Sequence, residues 1–343
     1  MSSRCLIAGL GAVVVGACGA MAAPAVAHAD AAGPTDYTTE IVGVTPVAAS
    51  DVVTVKIVGG DAFVEATVEA GHELTVLGYR PDEEPYLRIG PDGVVEQNRL
   101  SFATYYNQDR FGTDDIPDHV DTTAEPEWER IGDGGSWAWH DHRAHWMGAE
   151  PLIGLDPGDA LPSERIPMLL DGEPVTVEVV TTYLPRPSPI SALVGALVGV
   201  QLGLLGVWLG RASTVLATIV LAGLGLAAGL AQYWSLPAST GPLVTWWLLP
   251  AIALACGLGA IAIYGRSVWV ETGLVAVASL QLLVWGWQRR DHSMAAFVPT
   301  DLPMWIDRAI TTTVFTGSAA VLIGSLWQLW QAVAPHDVSG DLR

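Results

Sequence analysis

Thiols are scarce in this chain of 343 residues, which has three cysteines. Cys5 and Cys18 fall in the first apolar run and Cys256 in a later one, so residues 30 to 185 have none. That stretch has neither a disulfide framework nor a thiolate metal site. Its stability must come from a packed core, for which about 150 residues suffice. Positive charge is scarce too: 16 Lys plus Arg stand against 36 Asp plus Glu, a net charge of −20. Residues 30 to 185 hold 30 of the acids and 8 of the bases, while residues 190 to 343 are nearly neutral and mostly apolar. With no basic face to neutralise phosphates, nucleic acid is excluded as a partner. No Gly-rich phosphate loop, G-x-S-x-G elbow or H-E-x-x-H helix is present. No complete catalytic constellation is visible, and the reading leans away from an enzyme.

What remains is an acidic half joined to a greasy half. Residues 1–29 read as a signal peptide. Arg4 supplies the positive start, Cys5 to Ala17 is apolar but too short to span a bilayer, and small residues offer cleavage after Ala29 or after Ala27. The second cut would leave His28 as a new N-terminus, whose amine and ring can chelate copper. Residues 30–185 form the candidate extracytoplasmic domain. Val52 to Val58 is β-branched and ends at Gly59-Gly60; Asp61 to Glu69 alternates; His72 to Tyr79 and Tyr86 to Ile89 come next. Gly90-Pro-Asp-Gly93 is a turn signal, and Val175 to Tyr183 is the clearest last strand. Short strands at this spacing without a convincing amphipathic helix predict an all-β antiparallel sandwich. Tyr105 and Tyr106 read as sheet residues. Residues 107 to 130, acidic and lacking a strand pattern, read as a long excursion packed on the sandwich.

The densest chemistry lies in Trp137-Ala-Trp139-His140-Asp141-His142-Arg143-Ala-His145-Trp146-Met147. If the segment starts as a strand, alternation puts Trp137, Trp139 and Asp141 on one face and His140 and His142 on the other. Two histidines at i and i+2 on a strand can share one metal ion. His145 has the wrong parity and joins them only if the strand bends near Arg143. The expected ligands are therefore His140 and His142, with His145 and Met147 secondary and His72, His119 and His28 optional. Imidazoles without thiolates suit copper first and zinc second. A structural alternative stands beside this: Asp141 pairs with Arg143 or holds a histidine tautomer, Trp rings stack on Arg143, and no metal binds.

The order Glu84-Pro-Tyr-Leu-Arg88-Ile-Gly-Pro-Asp-Gly93, Ala103-Thr-Tyr-Tyr-Asn107 and Trp139-His-Asp-His-Arg143-Ala-His-Trp-Met147 resembles exported, membrane-anchored proteins of actinobacteria. The resemblance implies location and architecture rather than a chemistry. Trp139-His-Asp-His142 is also distantly similar to the Trp-His-x-His element of the cupredoxin-like B subunit of ammonia and methane monooxygenases. Arg143 and the residues after it depart from that element, so the oxygenase activity is not carried over.

Beyond a stiff linker, residues 186–189, lie five apolar stretches near the ~20 residues needed to span a bilayer. They are Ile190–Gly210, Ser213–Trp234, Leu243–Tyr264, Val268–Trp287 and Ala309–Gln331. Trp and Tyr gather at their ends as interfacial belts do. The expected bundle covers residues 190–334, in contact with membrane lipid, and residues 335–343 form a cytoplasmic tail. The arginines run against the leader: Arg211, Arg266 and Arg343 would lie inside, but Arg186, Arg289, Arg290 and Arg308 outside. The leader is taken as the stronger signal. The spans hold no His or Met and almost no ionisable group, with Glu271 near an end, so a structural anchor is favoured over a transporter. The loop Gln288 to Asp307, with His292, Met294 and Met304, could dock under the exported domain and add a ligand, or be an ordinary interfacial loop. These readings converge on a membrane-anchored domain that binds a metal ion, or else on an envelope component that docks another protein.

Overall fold

The computed structural model describes residues 32–148 and 153–333. The expected leader, with Cys5, Cys18 and His28, and the tail with His336 lie outside the described residues. Ten antiparallel strands precede five long apolar helices. The strands are β1 (Tyr37–Thr45), β2 (Val53–Val58), β3 (Phe63–Val68), β4 (Leu74–Leu77), β5 (Pro85–Ile89), β6 (Val95–Asn98), β7 (Trp128–Gly132), β8 (Ser136–Trp139), β9 (Glu164–Leu170) and β10 (Glu173–Tyr183). A seven-stranded sheet runs β1-β10-β9-β4-β5-β6-β7, and a three-stranded sheet runs β2-β3-β8.

Alternation accounts for the layering. Along β10, Val175, Val177, Val179, Thr181 and Tyr183 are buried while their neighbours are half-buried. This is the period of a strand with one face on a core. Opposite them, Val64, Ala66 and Val68 of the smaller sheet close the core together with Ile89, Val95 and Ile166. The β2–β3 hairpin turns at Gly59 and Gly60, whose φ of +73° and +85° a side chain would resist.

Two expectations need correction. Tyr105 and Tyr106 are not sheet residues but end a short helix, α1 (Phe102–Tyr106). Ser101 caps it by accepting from Ala103 N, and Phe102 stacks on Tyr106 one turn later with ring centroids 4.9 Å apart. The excursion after Asn107 ends at Trp128, where β7 pairs with β6. Arg88 stacks over the Trp128 ring at 4.4 Å, which ties this edge strand to β5.

The five helices long and apolar enough to cross a membrane are α2 (Ile190–Trp208), α3 (Arg211–Trp234), α4 (Thr245–Ala262), α5 (Val268–Gln288) and α6 (Met304–Val333). The last starts before the expected Ala309, so Met304 and Asp307 fall within it. Glycines let α2 and α6 touch backbone to backbone. A Cβ at Gly195 would collide with the Ala309 carbonyl oxygen, and one at Gly199 with that of Thr313. Thr313 and Thr316 bridge the same seam by donating to the Gly195 and Ala196 carbonyls, both at 2.9 Å.

The loop between α5 and α6 does dock under the β domain. Thr35 and Phe297 exchange backbone hydrogen bonds of 3.1 and 2.8 Å, and Ala296 N donates to Asp36 Oδ1 at 2.8 Å. Phe297 covers Gly60 so closely that a Cβ there would meet its ring at 2.6 Å. Leu236, just past α3, packs with Ala32, Ala62, Phe63 and Ala138 of the domain.

Candidate metal centre

His140, His142 and His145 come together, each buried, with one ring nitrogen apiece lying within 4.8 Å of the others. Strand parity is not what does this. β8 ends at Trp139, and the chain enters a single 3₁₀ turn, His142–Ala144, capped by Asp141, whose side chain accepts from Arg143 N. The turn supplies the bend that His145 needs. Thr39 Oγ1 of β1 donates to the Ala144 carbonyl at 2.5 Å, and the Tyr79 hydroxyl accepts from His142 N at 3.0 Å.

Each ring is oriented by a backbone carbonyl. His140 Nδ1 meets the Ala62 oxygen at 2.6 Å, His142 Nε2 the Asp109 oxygen at 2.9 Å, and His145 Nδ1 the Trp146 oxygen at 2.9 Å. A carbonyl can only accept, so each of these nitrogens carries the hydrogen, and the other nitrogen of a neutral ring is a lone pair. Those other nitrogens, Nε2 of His140, Nδ1 of His142 and Nε2 of His145, are buried and have no hydrogen-bond partner. A carbonyl behind each ring and a bare lone pair in front is how proteins present imidazole to a metal.

The rings stay neutral. Burial pushes His140 down to about 4, helped by the adjacent His142. Burial likewise pushes His145 down to about 2, with His140 and Arg110 adding to it. His142 is lowered for the same main reason. The nearby Arg110 is paired with buried Asp61 at 2.6 Å. No carboxylate joins the three histidines as a possible ligand among the described residues.

The remaining charges of the motif do separate work. Asp141, with no exposure, accepts from Arg143 Nε and from Trp139 Nε1 at 2.8 and 3.1 Å. Arg143 also donates to the Gly78 and Leu77 carbonyls and lies over the Tyr79 ring at 4.7 Å. Burial opposes both charges, but their pairing holds the Asp141 carboxyl below its usual range and Arg143 above its own. This is the structural network that the sequence offers as an alternative, with Tyr79 rather than a Trp under the guanidinium. It sits beside the three histidines and leaves their lone pairs free.

The other candidates are placed elsewhere. His72 pairs with Asp171 at 2.6 Å, and His119 Nε2 contacts the Tyr105 hydroxyl at 2.9 Å. His292 is engaged by Asp307. Met147 lies two residues past His145 and is half-buried. Asp109, Arg110 and Tyr106, whose ring meets that of His142 at 4.4 Å, are members of the site that the sequence does not single out. The nearest clue is that Asp109 and Arg110 lie at the start of the long excursion, just past Tyr106. A cleft of about 440 Å³ adjoins the cluster, with His140, Trp137 and Tyr86 in its wall and Ser239 of the bundle at its rim. No protein-family model, curated protein or solved structure matches the chain, so the reading of the site rests on its own geometry.

Proposed function

We propose that the chain is a membrane-anchored metal-binding protein, with copper as its ion, whose β domain lies on the extracytoplasmic side and holds or passes the ion at the membrane face. One observation carries this reading: three buried histidines, with one ring nitrogen apiece within 4.8 Å of the others, each keep a ring nitrogen that has no protein partner. Left bare, each costs about 1–3 kcal/mol. A metal ion removes all three penalties together. Metal–nitrogen bonds of about 2.0–2.1 Å require nitrogens roughly 3.4 Å apart, so loading draws the rings inward. Copper leads for two reasons. As Cu(II) it stands above zinc with nitrogen donors. As Cu(I) its single charge is the least costly to bury among neutral rings. His140, His142 and His145 would be the ligands, and Met147 a secondary donor. The leader supports the placement outside the cytoplasm.

A second reading, an envelope component that docks another protein without metal, draws on the Asp141–Arg143–Tyr79 network. One experiment separates the two. Full-length protein in detergent micelles, without an affinity tag, is dialysed against copper and zinc and its metal content read by elemental mass spectrometry. One copper per chain, lost in His140→Ala/His142→Ala while near-UV circular dichroism is retained, supports the copper reading. No bound metal at equimolar supply overturns it and leaves the docking reading.

A further inference from the structure

A second feature, independent of the histidines, lies on the flank of the bundle at the end that carries the β domain. A groove of about 420 Å³ runs between the start of α2 and the start of α6, with Ser188, Ile190 and Val194 on one wall and Trp305 and Arg308 on the other. Arg308 is the anomaly. It is 6% exposed, yet it forms no ion pair among the described residues. One terminal amine donates to the Ala295 and Ala296 carbonyls at 2.8 and 2.9 Å, and its Nε has no partner. The adjacent carboxylate, Asp307, is taken by Arg289 and His292. Asp307 offers Arg308 a nearby charge but no direct contact, and that one carboxylate is shared with Arg289 and His292, so the buried guanidinium is under-compensated. A further anion beside Arg308 would therefore be stabilising.

The surroundings specify its class. The N-terminus of α2 opens on the groove, and Pro189 at its cap provides no side-chain hydrogen bond to the first turn. Ser188 Oγ accepts from Ile190 N at 3.4 Å, and the remaining N–H groups of the first turn favour an anion as the guanidinium does. Apart from these groups and the Ser188 and Ser191 hydroxyls the walls are apolar, and Val194 and Trp305 continue the groove along the outer flank of the bundle, 52% and 62% exposed. We infer that the groove binds one anionic phospholipid from the leaflet on the β-domain side. Its phosphate meets the Arg308 guanidinium and the start of α2, and an acyl chain lies along Val194 and Trp305.

The test uses full-length protein in nanodiscs of equal phosphatidylglycerol and phosphatidylcholine, released into native mass spectrometry. One phosphatidylglycerol retained per chain, at least five-fold over phosphatidylcholine, is expected. Arg308→Gln brings the two lipids to parity. Val194→Trp, which fills the groove and leaves the charge in place, lowers retention of both lipids and remains informative if the arginine variant fails to fold. Equal retention by the wild type overturns the inference, as does enrichment that survives Val194→Trp. Displacement of the lipid by millimolar inorganic phosphate also overturns it, since that marks a simple anion site.

Discussion

Among the described residues histidine is buried in two places, and the two are built on opposite terms. At the head of the bundle, His292 Nδ1 bonds to Asp307 Oδ1 at 2.9 Å, and Arg289 pairs with the other oxygen of Asp307 at 2.6 Å while also donating to Gln232. A carboxylate ties the charges together, and the cluster joins α3, α5 and α6. In the β domain, three rings each spend one nitrogen on a backbone carbonyl and leave the other bare, with no carboxylate ligand in reach among the described residues. Burial is common to both and so does not mark a site. The distinction lies in unmet valence: one cluster is closed on itself and the other is open to a ligand.

The contrast can be broken or sharpened by measurement. The largest effect is expected at Asp307→Ala, which leaves the buried Arg289 charge unpaired. It should destabilise the protein by about 3–5 kcal/mol in thermal or denaturant unfolding in micelles; a loss below about 1 kcal/mol would show that the bundle cluster is not the closed network described. Copper comes next. At a hundred-fold excess over the dissociation constant it should stabilise the wild type by about 2.7 kcal/mol and His140→Ala/His142→Ala not at all; equal shifts in the two proteins would place the metal elsewhere.

Acid acts gradually, and its effect is read per pH unit. The unfolded chain takes protons on its histidines near 6.5, whereas folded His140 resists until about 4 and folded His145 until about 2. The stability associated with these neutral rings is therefore complete above pH 6.5. It is lost as pH falls, at up to about 1.4 kcal/mol per unit per histidine. The smallest change is expected for metal-free His145→Phe at pH 7. The variant loses one hydrogen bond and one bare lone pair, which nearly cancel, so its stability should stay within about 1 kcal/mol of wild type while copper binding disappears. Its deficit should shrink or reverse as pH falls, because one acid-labile ring is gone. A loss of about 3 kcal/mol at pH 7 would instead make His145 part of a structural network.

The sequence is most readable where one period dominates. Ile190–Trp208 and Val268–Gln288 lie almost where their apolar runs start and stop, because span length is set by bilayer thickness. Val175 to Tyr183 reads as a strand from alternation alone. β1 is not legible, since its burial pattern is uneven and its pairing shifts register between Ile41 and Gly43. β9 carries Pro167 and reads poorly for the same kind of local reason. In the site, the histidine cluster is legible as composition but the means of assembly is not. The bend after Trp139 depends on Thr39, Tyr79 and the Asp141–Arg143 pair, which come from distant parts of the chain. The carbonyls of Ala62 and Asp109 that aim two of the rings have no side-chain signature at all. The pairing of Arg289 with Asp307 is equally hidden, because it depends on how α5 and α6 are set against each other.

The clasp between Thr35 and Phe297 bears on how any exchange at the site is staged. With that clasp, the Asp36–Ala296 bond and Leu236 packed with Phe63, the β domain is seated on the bundle at several points besides its short proline-rich stalk. If the domain passes its ion on as proposed, these anchors make the site a berth, and the acceptor must bring its own donor atoms down to it.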